Sequence, residues 1–148
     1  YNGISGIRIK VAAIYDLNKV KAHAKQALDD PTIESVWFSA PKKSIFSVID
    51  EFQLKGQSMD PLRAKIYILD SIIGLQDSDY YATHTQWGTI FADWYGIVRD
   101  QIPWYVKFFL DKDTVTDREF LDQVSFHRTD RDIKLANGLL IKTDGSIQ

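Results

Sequence analysis

The stretch Pro103-Trp-Tyr-Val-Lys-Phe-Phe-Leu-Asp111 (PWYVKFFLD) alternates with a period of two. Trp104, Val106, Phe108 and Leu110 fall on one side, and Tyr105, Lys107 and Phe109 on the other. That period belongs to a β-strand with one buried and one freer face. Glu119 to His127 repeats the pattern, with Val124 and Phe126 inward and Ser125 and His127 outward. The polar segment Lys112 to Arg118 joins the two, so they read as antiparallel neighbours. In that arrangement Tyr105, Lys107, Ser125 and His127 project from one sheet face, with Arg128 just beyond. Further on, IKLANGLLIK holds Asn137-Gly138, a strong hairpin signal because both residues tolerate positive φ.

Upstream the period changes to that of helices. Asp16 is placed to cap a helix over Leu17 to Leu28, which Pro31 prevents from continuing. Ser35 to Ser39 (SVWFS) reads as a short strand or turn, and Lys42 to Leu54 as a second helix after Pro41, stopping near Gly56. A third helix begins with Asp60 as cap and Pro61 in the first turn. Leu62, Ile66, Leu69 and Ile73 form its apolar stripe, and Gly74 is expected to close it in a left-handed conformation. Gly3 to Tyr15 reads as a strand or an ordered lead-in. Leu75 to Trp87 (LQDSDYYATHTQW) matches neither period and reads as the crossing from helices to sheet. The expected fold is therefore α+β, N-terminal helices packed on a C-terminal antiparallel β-sheet, in a single domain over residues 1–148.

Composition narrows the function classes. The formal net charge is −2, so no global positive field draws the chain to nucleic acid or an anionic membrane. There is no cysteine, which excludes disulfide scaffolds and thiolate chemistry and fits a reducing, cytoplasmic setting. No apolar run approaches the ~20 residues that span a bilayer. No signal peptide shows at the start, and opening at Tyr1 suggests that some residues precede it. Three widely separated histidines show no zinc spacing, and there is no phosphate-binding glycine loop, nucleophile elbow or dinucleotide fingerprint. Neither a metal nor another cofactor is expected.

Four blocks, in order, resemble one family. IIGLQDSDYYATHT (Ile72–Thr85), TIFADWY (Thr89–Tyr95), WYVKFFL (Trp104–Leu110) and VSFH (Val124–His127) are similar to the MqsR family of type II toxins. The resemblance covers roughly residues 72 to 127. It implies a RelE-like fold, messenger-RNA interferase activity, an RNA substrate and a cognate antitoxin protein as partner. Family positions of functional interest fall on Ala82, Ala92 and His127, where the family carries lysine, glutamine and lysine; its tyrosine is retained at Tyr105.

Metal-free RNA cleavage needs a base for the 2′-hydroxyl proton, an acid for the leaving 5′-oxygen and cations for the phosphorane charge. His127 suits the base or acid, because histidine titrates near neutrality. Lys107 and Arg128 suit phosphate, Tyr105 suits positioning or weak acid work, and His84 lies near the position lost to Ala82. Ser125 and Tyr81 complete the expected substrate surface. Each also has a plainer role: His127, Lys107 and Arg128 as surface residues, and His84 as a loop histidine bonded to backbone. Tyr80, Tyr81 and Trp87 read as packing rather than base-stacking platforms, and Asp79 as a cap or internal acceptor. Two other functions stay open. One is a binding module on the same fold that lacks catalysis. The other is an unrelated interaction protein, whose sign would be the absence of a sheet joining Tyr105 to His127.

Overall fold

The computed structural model describes residues 12–148; the expected lead-in lies outside the described residues over 3–11, and 12–15 are irregular. Three helices come first: α1 (Leu17–Asp29), α2 (Ile45–Leu54) and α3 (Pro61–Ile73). Strand β1 (Val36–Phe38) lies between α1 and α2, and β2 (Tyr80–Gln86), β3 (Ile90–Arg99), β4 (Ile102–Lys112) and β5 (Glu119–Arg128) follow. A two-stranded hairpin, β6 (Ile133–Lys134) and β7 (Leu140–Ile141), ends the chain. The α+β class is as expected.

Helix starts follow their caps. The Asp16 carboxylate accepts from the Asn18 N–H at 2.9 Å and Asp60 from the Arg63 N–H at 2.8 Å, each satisfying a free first-turn donor. The second helix starts later than expected, because Pro41–Lys43 forms a separate 3₁₀ turn before Ile45.

The third helix departs from its reading in two ways. Of the expected stripe Leu69 is buried, but Leu62 is 68% and Ile66 44% exposed; the rest of the buried face is Ala64, Tyr67, Ile68, Ser71 and Ile72. That face holds an alanine, a serine and a tyrosine, so counting large aliphatics picked the neighbouring stripe. Its polar atoms are satisfied: Ser71 donates to the Tyr67 carbonyl at 2.7 Å, and the Tyr67 hydroxyl donates to Asp100 at 2.8 Å. Gly74 has φ −80° and stays right-handed, since Leu75 continues the turn by donating to the Ile72 carbonyl.

The sheet order is β1-β5-β4-β3-β2, and the expectation of an all-antiparallel sheet is corrected. The four long strands are antiparallel, but β1 runs parallel to β5, with Val36 opposite Leu121. The sheet is therefore mixed. The stretch from Leu75 is also more regular than expected: after a 3₁₀ turn at Asp77–Asp79 it becomes the edge strand β2. Its alternation is masked by a bulge between Tyr80 and Ala82, which breaks the period of two. Asp79 accepts from the Gln76 N–H at 2.8 Å, the capping role expected of it.

Trp104, Val106, Phe108, Leu121 and Phe126 are buried on the sheet face beneath the helices. On the neighbouring strand β3, opposite Phe108, Asp93 is fully buried, and its carboxylate accepts from Ile14 N–H (3.1 Å), Tyr15 N–H (2.9 Å) and the Thr83 hydroxyl (2.6 Å). Three donors on one anion fasten the entry to α1 onto β3.

The opposite face is covered at one end by the C-terminal hairpin. Ile133, Leu135 and Ile141 pack there with Tyr81, Val98 and Tyr105 partly buried against them. Gly96 makes the contact possible, because a Cβ there would lie 2.6 Å from Ile133 Cδ1. The hairpin forms where Asn137-Gly138 placed it, yet Gly138 alone of the pair takes positive φ, at 93°. Gly138 N–H reaches the Leu135 carbonyl and Leu135 N–H the Leu139 carbonyl, a longer loop with glycine at the left-handed position.

Candidate functional site

Strand register decides which side chains share the uncovered face. Tyr105 lies opposite His127 and Lys107 opposite Ser125, as the alternation requires. The sheet thus joins Tyr105 to His127, against the reading of an unrelated fold. A β5 bulge beside Val124 follows, and past it Phe109 faces Asp122. On the other flank of β4, Trp94 lies opposite Lys107 and Ala82, while Ala92 lies opposite His84.

One ring from each of four strands makes a diagonal cluster: His84 (β2), Trp94 (β3), Tyr105 (β4) and His127 (β5). His84 and Trp94 have ring centroids 4.8 Å apart, Trp94 and Tyr105 stack at 5.0 Å with planes 2° apart, and Tyr105 meets His127 edge-on at 3.9 Å. The Lys107 ammonium sits 4.5 Å from the Trp94 ring centre, a cation–π contact. Tyr81 is 6.3 Å from Trp94, and Ser125 is buried beside Lys107. Of the sequence-selected residues, His127, Tyr105, Lys107, His84, Tyr81 and Ser125 therefore come together.

Arg128 does not join them. It pairs with Trp104 and so faces the helices, where its guanidinium donates to Glu51 at 3.0 Å and to the Thr143 carbonyl at 3.1 Å. A one-residue step along a strand reverses the face, which the expectation of Arg128 just beyond His127 overlooked. His23 is also elsewhere, 2.7 Å from Glu119 between α1 and β5.

The protonation states follow from neighbours. His127 Nδ1 lies 2.8 Å from the Arg128 carbonyl oxygen. A carbonyl only accepts, so Nδ1 carries the hydrogen, and in the neutral ring Nε2 is left as a base. Burial, and to a lesser extent Asp130, pushes the Tyr105 hydroxyl above its ordinary value, with Arg131 opposing. Tyr105 is thus a neutral donor at physiological pH, not a phenolate. Burial holds Lys107 below the ordinary lysine value, and the neighbouring charge of Lys43 adds to this.

A cavity of about 260 Å³ opens beside the cluster, floored by Tyr81, His84, Trp94 and Tyr105 and edged by Asp130 and Arg131, themselves 3.3 Å apart. A larger cavity of about 540 Å³ lies between the end of α3 and the hairpin, among Ile73, Ile97, Leu135 and Ile141. The polar groups on its lining are engaged with one another or with backbone: Arg99 donates to Asp70, Ser71 and the Tyr67 carbonyl, and Asp79 accepts from the Gln76 N–H.

Sequence reading missed Trp94 and Lys43. Reading TIFADWY as an alternating strand puts Trp94 on the Tyr105 face; Lys43 comes from the 3₁₀ turn far away in sequence and left no local signal. Among the described residues, no group of three or more His, Asp or Glu side chains is placed to hold a metal. No helix among them is long and apolar enough to cross a membrane. No family model, curated protein or solved structure matches this chain.

Proposed function

We propose that the chain is a RelE-like endoribonuclease toxin that cleaves RNA without a metal, through attack of a 2′-hydroxyl on the adjacent phosphate. The observation that carries this reading is the contact of Tyr105 with His127 on the open face, with the Lys107 ammonium alongside. The four-block resemblance to the MqsR toxins supports it and supplies the rest: a cytoplasmic setting, an RNA substrate and an antitoxin partner.

In this mechanism His127 Nε2 removes the 2′-hydroxyl proton, the 2′-oxygen bonds to phosphorus, and the bond to the 5′-oxygen breaks. The products are a 2′,3′-cyclic phosphate and a 5′-hydroxyl. Lys107 balances the charge that gathers on the phosphorane oxygens. Tyr105, neutral and in contact with His127, donates the proton to the leaving 5′-oxygen and recovers it from the protonated His127, while His84, on the far side of Trp94, meets a flanking nucleotide. Tyr81 and Ser125 frame the substrate; Arg128 braces β5 against α2 instead of contacting RNA.

The test is cleavage of a mixed single-stranded RNA in EDTA. His127→Ala is expected to slow it by about 10²–10⁴-fold, the worth of a positioned proton-transfer group. Unchanged cleavage by that variant refutes the assignment. The second reading, a binding module without catalysis, draws on Ala82 and Ala92, which sit on the reactive face where the family carries lysine and glutamine. Well-folded protein that binds RNA but never cuts it, with or without ribosomes, decides for that reading.

A further inference from the structure

Trp87 is out of place as a packing residue. It occupies the turn between β2 and β3 with φ +53°, beside Gly88 at +80°. A bulky side chain in the left-handed region is strained, and glycine or asparagine is the ordinary occupant of such a turn. The strain gains little shelter, because Trp87 remains 61% exposed. What it does is lie edge-on against Phe109, centroids 5.9 Å apart, on the same face of β4 as Tyr105 and Lys107. Phe109 is 2% exposed beneath it. Strain retained at an exposed aromatic points to a use outside the fold's own packing.

The positions along β4 suggest that use. Tyr105, stacked with Trp94, and Phe109, carrying Trp87, are four residues apart, roughly 13 Å at the rise of a strand. Lys107 stands midway between these two aromatic platforms, and Lys43 lies close enough for its charge to act on Lys107. Three acids lie along the face, and one of them, Asp130, edges the Tyr105 end paired with Arg131. Asp122 is buried, its carboxyl held above the usual range by that burial, and Asp111 lies beyond Phe109 at the end of the row. Cationic charge thus sits between the platforms and exposed negative charge outside them.

We propose that this row is a track for single-stranded RNA, in which one base stacks on the exposed indole of Trp87, another on the Trp94–Tyr105 pair, and the intervening backbone phosphate meets Lys107. The ligand class rests on the ribonuclease reading, but the track adds a contact remote from the reacting atoms. Aromatic platforms accept any base, so the track gives affinity and direction without demanding a sequence. A duplex, with its bases stacked internally, has no free ring to offer.

The experiment measures binding of a short 2′-O-methyl oligoribonucleotide, which lacks the reacting hydroxyl, alone and annealed to its complement. Trp87→Asn removes the ring and suits the left-handed turn; Trp87→Phe keeps a stacking surface. Single-strand affinity is expected to fall about tenfold in Trp87→Asn and to recover largely in Trp87→Phe. Thermal stability of Trp87→Asn should be unchanged or higher, which a packing role would not give. Equal affinity of wild type and Trp87→Asn overturns the track and leaves the His127 cleavage test untouched. So does equal affinity for single strand and duplex, or no binding to either by folded wild type. Trp87-dependent binding by a protein that cuts no unmodified RNA keeps the track and removes the ribonuclease reading.

Discussion

In the proposed mechanism His127 and Lys107 divide the chemistry by their hydrogens. The carbonyl of Arg128 fixes which imidazole nitrogen is free, and burial beside Lys43 makes Lys107 give up its proton more readily than an ordinary lysine. The sign of the pH dependence follows. A depressed lysine is charged below its own pKa and neutral above it, so the phosphate contact is lost as pH rises through a range below the ordinary 10.5. Cleavage is therefore expected to fall early on the alkaline side, and Lys107→Arg to extend that limb; an unmoved limb in pH–rate profiles removes Lys107 from the phosphate. Asp93 is the residue-scale counterpart for stability. An amide there offers one oxygen where the carboxylate uses two, so Asp93→Asn leaves a donor among Ile14, Tyr15 and Thr83 unsatisfied. A loss of about 1–3 kcal/mol in urea denaturation is expected. Neither role was visible in the chain order. Asp93 receives backbone donors from residues far upstream, and the repulsion of Lys43 on Lys107 acts between distant segments.

At the scale of elements, the reactive face depends on the hairpin that shelters one end of it. Gly96 lets Ile133, Leu135 and Ile141 lie directly on β3, and Tyr105 packs against the same group. Gly96→Val should displace the hairpin at a cost of about 1–3 kcal/mol. Limited proteolysis should then cut within 129–148 while the five-stranded sheet stays protected. Elements differ in how openly their residues announce them. β4 was legible because Trp104, Val106, Phe108 and Leu110 make one side apolar, β5 from Val124 and Phe126 alternating with Ser125 and His127, and that alternation set Tyr105 beside His127. The α1 and α3 starts were legible from Asp16 and Asp60. β2 was not, because a bulge shifts its phase at Tyr80–Ala82. The buried side of α3 was not, because Ala64, Tyr67 and Ser71 do its packing. The parallel placement of β1 was invisible, since three residues carry no sign of their partner's direction.

For the whole molecule, charge limits how RNA could be held under the proposed function. With a net charge of −2, long-range attraction contributes little and contact must come from local cations. Each phosphate neutralised on a single strand contributes about −0.7 to the slope of log affinity against log salt. Lys107 with Lys43 thus predicts a shallow slope of about −0.7 to −1.4 in binding titrations; a much steeper one would mean a cationic surface elsewhere. The parallel pairing of Val36 with Leu121 has a further consequence, for biosynthesis. The chain leaves the ribosome from its N-terminus, so β1 must wait for β5 before it has a neighbour, and contacts so distant in sequence form late. β5 also brings His127. The strand that completes the sheet and the histidine of the cluster are thus translated together, and under the ribonuclease proposal a nascent chain halted before them would lack the group that cuts a transcript.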